Sequence, residues 1–334
     1  MRDSPFSVGK IAIYAALDYN KPRRRGRWFP GTLAYWKKGR ITMQNVITVA
    51  TMRDSDAHTI AEYTPSRELM HRAALGVYQA ADWTGKTVAI LTGGGNNGGD
   101  GYALAAILAG KGIPCQLYRV SEKFSADGTF YYDQAIEAGV PADVFTKETD
   151  LSGYDILVDC LLGTGFNGPV RGLFYEAIQA INQSKAYVIS VDINSGMNGD
   201  TGKGGPVVKS DLTVTIGYLK AGMLLGDAVW SIGKLVVADI GIRLIRDDYF
   251  LAKPEEAVFP HSDLSLDGDR VTLLTPGEAE DLSKAGQTIP DVAQELALRS
   301  RRLVRVLGRY ALATDGYRTY FLEGGEYPQV IQVG

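Results

Sequence analysis

The 334-residue sequence predicts an α/β fold, a three-layer α/β/α sandwich around a mostly parallel central sheet. Three observations carry that expectation. Apolar runs at 87–91, 114–120, 154–159, 186–192, 212–216 and 234–238 have the length and continuity of strands buried on both faces. Helical patterns separate the earlier runs, as parallel strands joined by crossovers require. Three of the runs open at their carboxyl ends into loops of glycine and polar residues, where Rossmann-like sheets bind ligands.

Composition narrows the classes. The net charge of −3 gives no ground for a nucleic-acid or membrane partner. No apolar run reaches the roughly 18 residues of a membrane span, and the basic N-terminus lacks the apolar core of a secretory signal. Cys115 and Cys160 sit in apolar strand-like runs and read as free thiols, so a cytoplasmic location is expected. His58, His71 and His261 show no zinc-ligand spacing.

Residues 1–42 carry Arg23-Arg24-Arg25-Gly26-Arg27 and Lys37-Lys38-Gly39-Arg40 with few acids. They read as a poorly ordered extension in preference to an arm touching RNA or anionic lipid. A helix is expected to open at Arg53-Asp54-Ser55-Asp56, and Thr64-Pro65-Ser66 breaks it and starts the next. The stripe Leu69, Met70, Ala73, Ala74, Val77 and Tyr78 is either core packing or a dimer face. Further helices are expected after Gly101, over 128–138 with Phe130, Tyr131, Ala135 and Ile136 on one face, and over 173–181.

The first strand-end loop is Gly93-Gly94-Gly95-Asn96-Asn97-Gly98-Gly99-Asp100-Gly101. Glycines admit close backbone approach, and the free N–H groups of the following helix favour an anion. The turn is neither G-x-G-x-x-G nor a P-loop. The second loop runs from Asp159 through Gly163-Thr164-Gly165-Phe166-Asn167-Gly168-Pro169 to Gly172. The third is Asp192-Ile193-Asn194-Ser195-Gly196-Met197-Asn198-Gly199-Asp200-Thr201-Gly202. An acid ends the strand in both, and all three loops are expected to converge on one crevice.

These motifs resemble those of the NAD(P)H-hydrate epimerase family, the YjeF N-terminal domain, over about 52–242. Asn194 and Gly94 depart from the pattern, since many members have proline at both places. The resemblance implies epimerisation at C6 of hydrated NADH or NADPH (NADHX and NADPHX), a small-molecule repair reaction. It implies that Asn96, Asn97, Gly98, Gly99 and Asp100, then Gly163, Thr164, Gly165, Phe166, Asn167, Gly168 and Pro169, and finally Asp192 hold the substrate. It gives Asn97, Asp159 and Ser195 as potassium ligands and a homodimer as the assembly. The chemistry needs an acid to protonate the departing C6 hydroxyl and its base form to take a proton from returning water, and Asp192 is the candidate.

The epimerase-like domain is placed at 43–246. Residues 247–334 faintly resemble part of the dehydratase domain fused to some relatives, with Thr275-Pro276-Gly277-Glu278 where relatives have T-P-H-P-G-E. Their glycine-rich G-S-G-D loop is missing, so dehydratase activity is not expected. One helix through Val292, Leu296, Leu298 and Leu303 and a sheet piece at 317–322 are expected there. The alternative function is a non-catalytic binding module for RNA or a protein. An ordinary dehydrogenase lacks support, because Arg119 and Val120 stand where an acid would hold a ribose.

Overall fold

The computed structural model describes residues 11–14, 43–259, 266 and 270–323. The arginine and lysine runs of the N-terminal extension, and His261, lie outside the described residues. In chain order the elements are β1 (Ile11–Tyr14), β2 (Gln44–Ile47), α1 (Val49–Glu62), α2 (Ser66–Ala80), β3 (Val88–Thr92) and α3 (Asn96–Gly110). Then come β4 (Cys115–Arg119), α4 (Ala126–Glu137), β5 (Ala142–Val144), β6 (Ile156–Cys160), α5 (Gly172–Gln183), β7 (Tyr187–Val191), β8 (Leu212–Ile216), β9 (Leu219–Lys220) and β10 (Lys234–Ala238). The last are β11 (Tyr249–Ala252), β12 (Val271–Leu274), α6 (Pro276–Asp281), α7 (Ile289–Ser300), β13 (Leu303–Val306), β14 (Ala311–Thr314) and β15 (Thr319–Leu322).

The first sheet has the order β1-β10-β8-β7-β6-β3-β4-β5. Its strands pair in parallel except β1, which runs antiparallel to β10 at the edge. The winding starts at β3, proceeds outward to β4 and β5, then returns to β6 and runs the other way. That reversal leaves a crevice at the carboxyl ends of β3 and β6. Alternation along β3 shows the layering. Val88 and Ile90 face a core shared with α2, α3 and α4. Ala89 and Leu91 face a second core with Ala177, Ile178 and Ile181 of α5. The strands are buried on both faces, which is why they appear in the sequence as continuous apolar runs.

The stripe on α2 is core. Leu69, Met70, Ala73, Ala74 and Val77 are buried against α3 and the β8–β10 edge, so they offer no dimer face. On α4 the expected face is partly corrected: Tyr131 and Ala135 are buried, but Ile136 is exposed.

Two helix starts differ from expectation. The first helix begins at Val49, not at Arg53, because Thr48 caps it by accepting from the Thr51 N–H. Its buried face is a hydroxyl stripe, Thr51, Ser55 and Thr59, four residues apart. Each hydroxyl accepts a bond from the segment after β10: from Arg246 Nε at 2.9 Å, Ile245 N at 3.3 Å and Arg243 N at 2.9 Å. A polar buried face carries no hydrophobic period, so the sequence hides it. The helix of the first loop begins at Asn96, not after Gly101, and therefore contains three glycines in its first two turns. Glycine is a poor helix former, but here contact demands it. A Cβ on Gly98 would lie 2.0 Å from the Gly93 carbonyl oxygen, and one on Gly101 2.9 Å from Cys160 Cβ.

A second sheet, ordered β12-β13-β14-β15-β11-β2-β9, packs α6 and α7 on one side. It joins Gln44–Ile47 to the last strands of the described chain. β2 runs antiparallel to β11 and parallel to β9. The boundary drawn between 246 and 247 thus passes through one sheet and one core, in which Ile193, Leu224 and Leu235 meet Ala293, Val304 and Phe321. The Thr275-Pro276-Gly277-Glu278 motif acts as a reciprocal helix cap. Thr275 Oγ1 accepts from Glu278 N at 3.2 Å, and Glu278 Oε2 accepts from Thr275 N at 2.7 Å.

Candidate active site

The three loops meet around the peptide of Leu162. Asp159, the fourth residue of β6, is fully buried. Its Oδ1 accepts from Ser195 Oγ at 2.5 Å and Leu161 N at 3.2 Å, and its Oδ2 from Ser190 Oγ at 2.8 Å and Ser195 N at 2.9 Å. Burial pushes this carboxyl above its ordinary range, and the four donors oppose the shift. Ser195 Oγ also accepts from Leu162 N at 2.8 Å. Asn97, in the first turn of α3, donates through Nδ2 to the Leu162 carbonyl at 3.1 Å. Its Oδ1 is buried and has no protein partner. One residue of the first loop and one of the third are thus fixed to the backbone of Leu162 in the second.

Asp192 follows β7 directly in a left-handed conformation, with φ at 66°. Aspartate tolerates that region better than most residues, but strain held in place is a marker of function. Two bonds hold it: Asp192 N donates to Val214 O, and Ile193 N to Val191 O, both at 2.8 Å. Asp192 Oδ1 pairs with Lys220 Nζ at 2.5 Å. Lys220 has no exposed side-chain surface, whereas Asp192 retains 16%. The pair hides the ammonium and presents the acid. Lys220 spends its other hydrogens on Thr215 Oγ1 at 3.0 Å and Ile216 O at 2.8 Å, so every donor is satisfied. The second oxygen of Asp192 faces the second loop. The Thr164 N–H lies 3.4 Å away, and a Cβ on Gly163 would lie 3.4 Å from it and 3.2 Å from Asn97 Cβ.

Two more acids share this field. Burial, then the charges of Asp192 and Asp56, push Asp100 well above the usual carboxylate range, against the pull of Lys220. Asp56 of α1 is raised by burial and then by Asp192, again with Lys220 opposing.

Of the predicted substrate residues, Asn97, Asp100, Gly163, Thr164 and Asp192 are brought together here. Gly98 and Gly99 are buried in the α3 turn, Gly99 close against Met70. Asn96 is exposed beside them, and Gly165, Asn167, Gly168 and Pro169 form an exposed rim. Phe166 is half-buried within that rim, and Asn167 Oδ1 accepts from Asn198 Nδ2 at 3.5 Å. Asn194 anchors the third loop. Its amide donates to Val208 O, Ser210 Oγ and Ser231 O and accepts from Thr213 Oγ1 at 2.7 Å. Lys220 and Asp56 are not apparent as site residues in the sequence. The signal for Lys220 is a lone charge inside the apolar stretch 219–225, which demands a buried partner.

Comparison with known proteins supplies the family. The family described as YjeF-related protein N-terminus matches residues 66–222. An NAD(P)H-hydrate epimerase of Oenococcus oeni is 36% identical over 209 residues, covering 59% of this chain and 99% of that protein. A bifunctional NAD(P)H-hydrate repair enzyme of Thermofilum pendens is 37% identical over 172 residues, covering 48% of this chain and 33% of that one. A crystal structure of a yeast protein aligns at a TM-score of 0.46 and 22% identity, over 53% of this chain and 82% of its own. With the O. oeni enzyme matched over nearly its whole length, the chain belongs to the NAD(P)H-hydrate epimerase family.

Proposed function

We propose that the protein interconverts the R and S forms of hydrated NADH and NADPH at C6 of the nicotinamide ring, as a cytoplasmic repair enzyme. The observation that supports this reading most strongly is the half-presented Asp192–Lys220 pair at the meeting point of three ligand loops. The ring nitrogen expels the C6 hydroxyl as the C6–O bond breaks and an iminium forms. Asp192 in its acid form gives a proton to the departing oxygen, and its carboxylate takes one back from water returning to the opposite face. Lys220 positions Asp192 by occupying Oδ1, which leaves Oδ2 toward Thr164 and the ligand. The first-turn N–H groups of α3 suit the anionic part of the dinucleotide.

Asn97, Asp159 and Ser195 would hold a potassium ion. The unpartnered Asn97 oxygen and the buried Asp159 carboxylate supply the mixed neutral and charged oxygens that such a cation takes. The ion would offset negative charge and tie the first loop to the third.

Asp100 adds an acid that keeps its proton to higher pH than an ordinary carboxyl. A group with a raised folded pKa contributes stability that is complete below its unfolded value, about 3.9, and is lost as pH rises through the folded value. Asp100→Asn therefore melts higher than the parent at pH 8, and the difference shrinks toward pH 4. Melting curves across that range check it, and a variant less stable at pH 8 contradicts it.

The function itself is tested by supplying purified R-hydrated NADPH with and without potassium and following the S form through a coupled dehydratase. Interconversion that depends on potassium is expected. No conversion, together with salt-sensitive RNA binding, would overturn the reading in favour of a binding module.

A further inference from the structure

We infer that the carboxyl end of β4, Arg119 with Ser121 and Lys123, reads the adenosine ribose and selects the 2′-phosphorylated form of the hydrated dinucleotide. The identity of the dinucleotide rests on the epimerase reading; the phosphate preference rests on the sheet order and on the packing around Arg119.

The sheet order places the two halves of such a ligand. Asp192 at the end of β7 marks the nicotinamide side of the crevice. The remainder of the molecule then crosses the glycine turn after β3 and reaches the end of β4. In sheets wound this way, the residue ending the second strand meets the ribose 2′ position. An acid there accepts a bond from a free hydroxyl, and an arginine accommodates a phosphate. Arg119 is the last residue of β4, and its Cα partners Thr92, one residue before the glycine turn. A carboxylate at that place would repel a phosphate; a guanidinium offers it a planar fork of donors.

The local packing supports a site. The guanidinium lies over the rings of Phe124 and Tyr132, at 5.7 and 5.4 Å from their centres. Ring faces hold the plane without consuming its hydrogen-bond donors. Arg119 Nε is buried without an acceptor, and no carboxylate pairs with Arg119 among the described residues. A buried donor left unpaired is costly unless something else completes it. Ser121 and Lys123 close the arrangement. A Cβ on Gly94 would lie 2.8 Å from Ser121 Oγ and 2.9 Å from the Lys123 carbonyl, so their segment rests directly on the turn. The absence of a Cβ on Gly94 is what admits that contact. Lys123 is exposed and supplies a second positive charge, while the intervening Glu122 is exposed to solvent.

The test uses binding before turnover. Wild-type protein is titrated calorimetrically with adenosine 2′,5′-bisphosphate and with 5′-AMP. The bisphosphate is expected to bind at least about tenfold more tightly, the factor one charge-assisted contact carries. Arg119→Gln brings that ratio to within about twofold of unity, and Lys123→Gln lowers it partway. The ratio of kcat/KM for hydrated NADPH over hydrated NADH falls in step. Equal affinities in the wild type, or an unchanged ratio in folded Arg119→Gln, overturn the inference. If Arg119→Gln does not fold, the wild-type ratio and Lys123→Gln decide. The two readings fail separately: an intact binding ratio without epimerisation removes the reaction alone, and epimerisation without a ratio removes the subsite alone.

Discussion

Asp192→Asn lowers kcat/KM for interconversion of the hydrate epimers by about 10²- to 10⁴-fold, the range contributed by a positioned proton-transfer group. Asparagine fills the same space and cannot carry the proton. The substitution also strands the charge of Lys220, which is fully buried and is left with neutral acceptors such as Thr215 Oγ1 and Ile216 O. Breaking a buried pair on one side costs about 3–5 kcal/mol, so lost activity alone could mean lost structure. The double variant Asp192→Asn with Lys220→Met removes both charges. Its urea midpoint is expected to recover toward the parent while its activity stays absent. Recovery of both, or a single variant working within about threefold of the parent, would take Asp192 out of the reaction.

Asp159→Ala gives the second large effect, on stability. The carboxylate satisfies Ser190 Oγ, the Ser195 hydroxyl and N–H, and the Leu161 N–H, all in a site without solvent. Each orphaned donor costs about 1–3 kcal/mol, and neighbouring losses do not simply add. An overall loss of about 3–5 kcal/mol is expected, a large part of the roughly 5–15 kcal/mol that holds a domain folded. Asp159→Asn falls between, because an amide nitrogen would face two of the four donors. Urea titrations at pH 7 measure both. Equal midpoints for parent and alanine variant would mean that this network carries no such weight.

The first sheet is legible in the sequence because its strands are buried on both sides, and β8 and β10 begin and end where the apolar runs do. The features that are not legible have physical causes. The start of α3 is hidden by glycines that helix propensity disfavours and close contact with Gly93 and Cys160 requires. Lys220 meets Asp192 across 28 residues, a pairing that no local pattern encodes. The backbone conformation of Asp192 cannot be read from a side chain that usually avoids positive φ. The second sheet escapes because two of its members are only 4 and 2 residues long, too short to show a period. The crevice itself is predicted from three strand ends, and Asn97, Asp159, Asp192 and Ser195 converge there. The second oxygen of the site pair, the shared Leu162 peptide and the acid contributed by α1 become visible only in three dimensions.

Strand β2 sits between β9 and β11, paired to segments roughly 170 and 200 residues further along the chain. It leads directly into α1, whose start is held by Asp248 accepting from Thr48 N at 2.8 Å and by Asp200 accepting from Val49 N at 2.7 Å. During synthesis this helix leaves the ribosome before either partner of its leading strand and before the acids that hold its start. Closing such long loops is also the slow part of folding. The hold on the helix that carries Asp56 is therefore completed only once the segment around residue 250 is in place, later than the strands that frame the β3–β6 crevice.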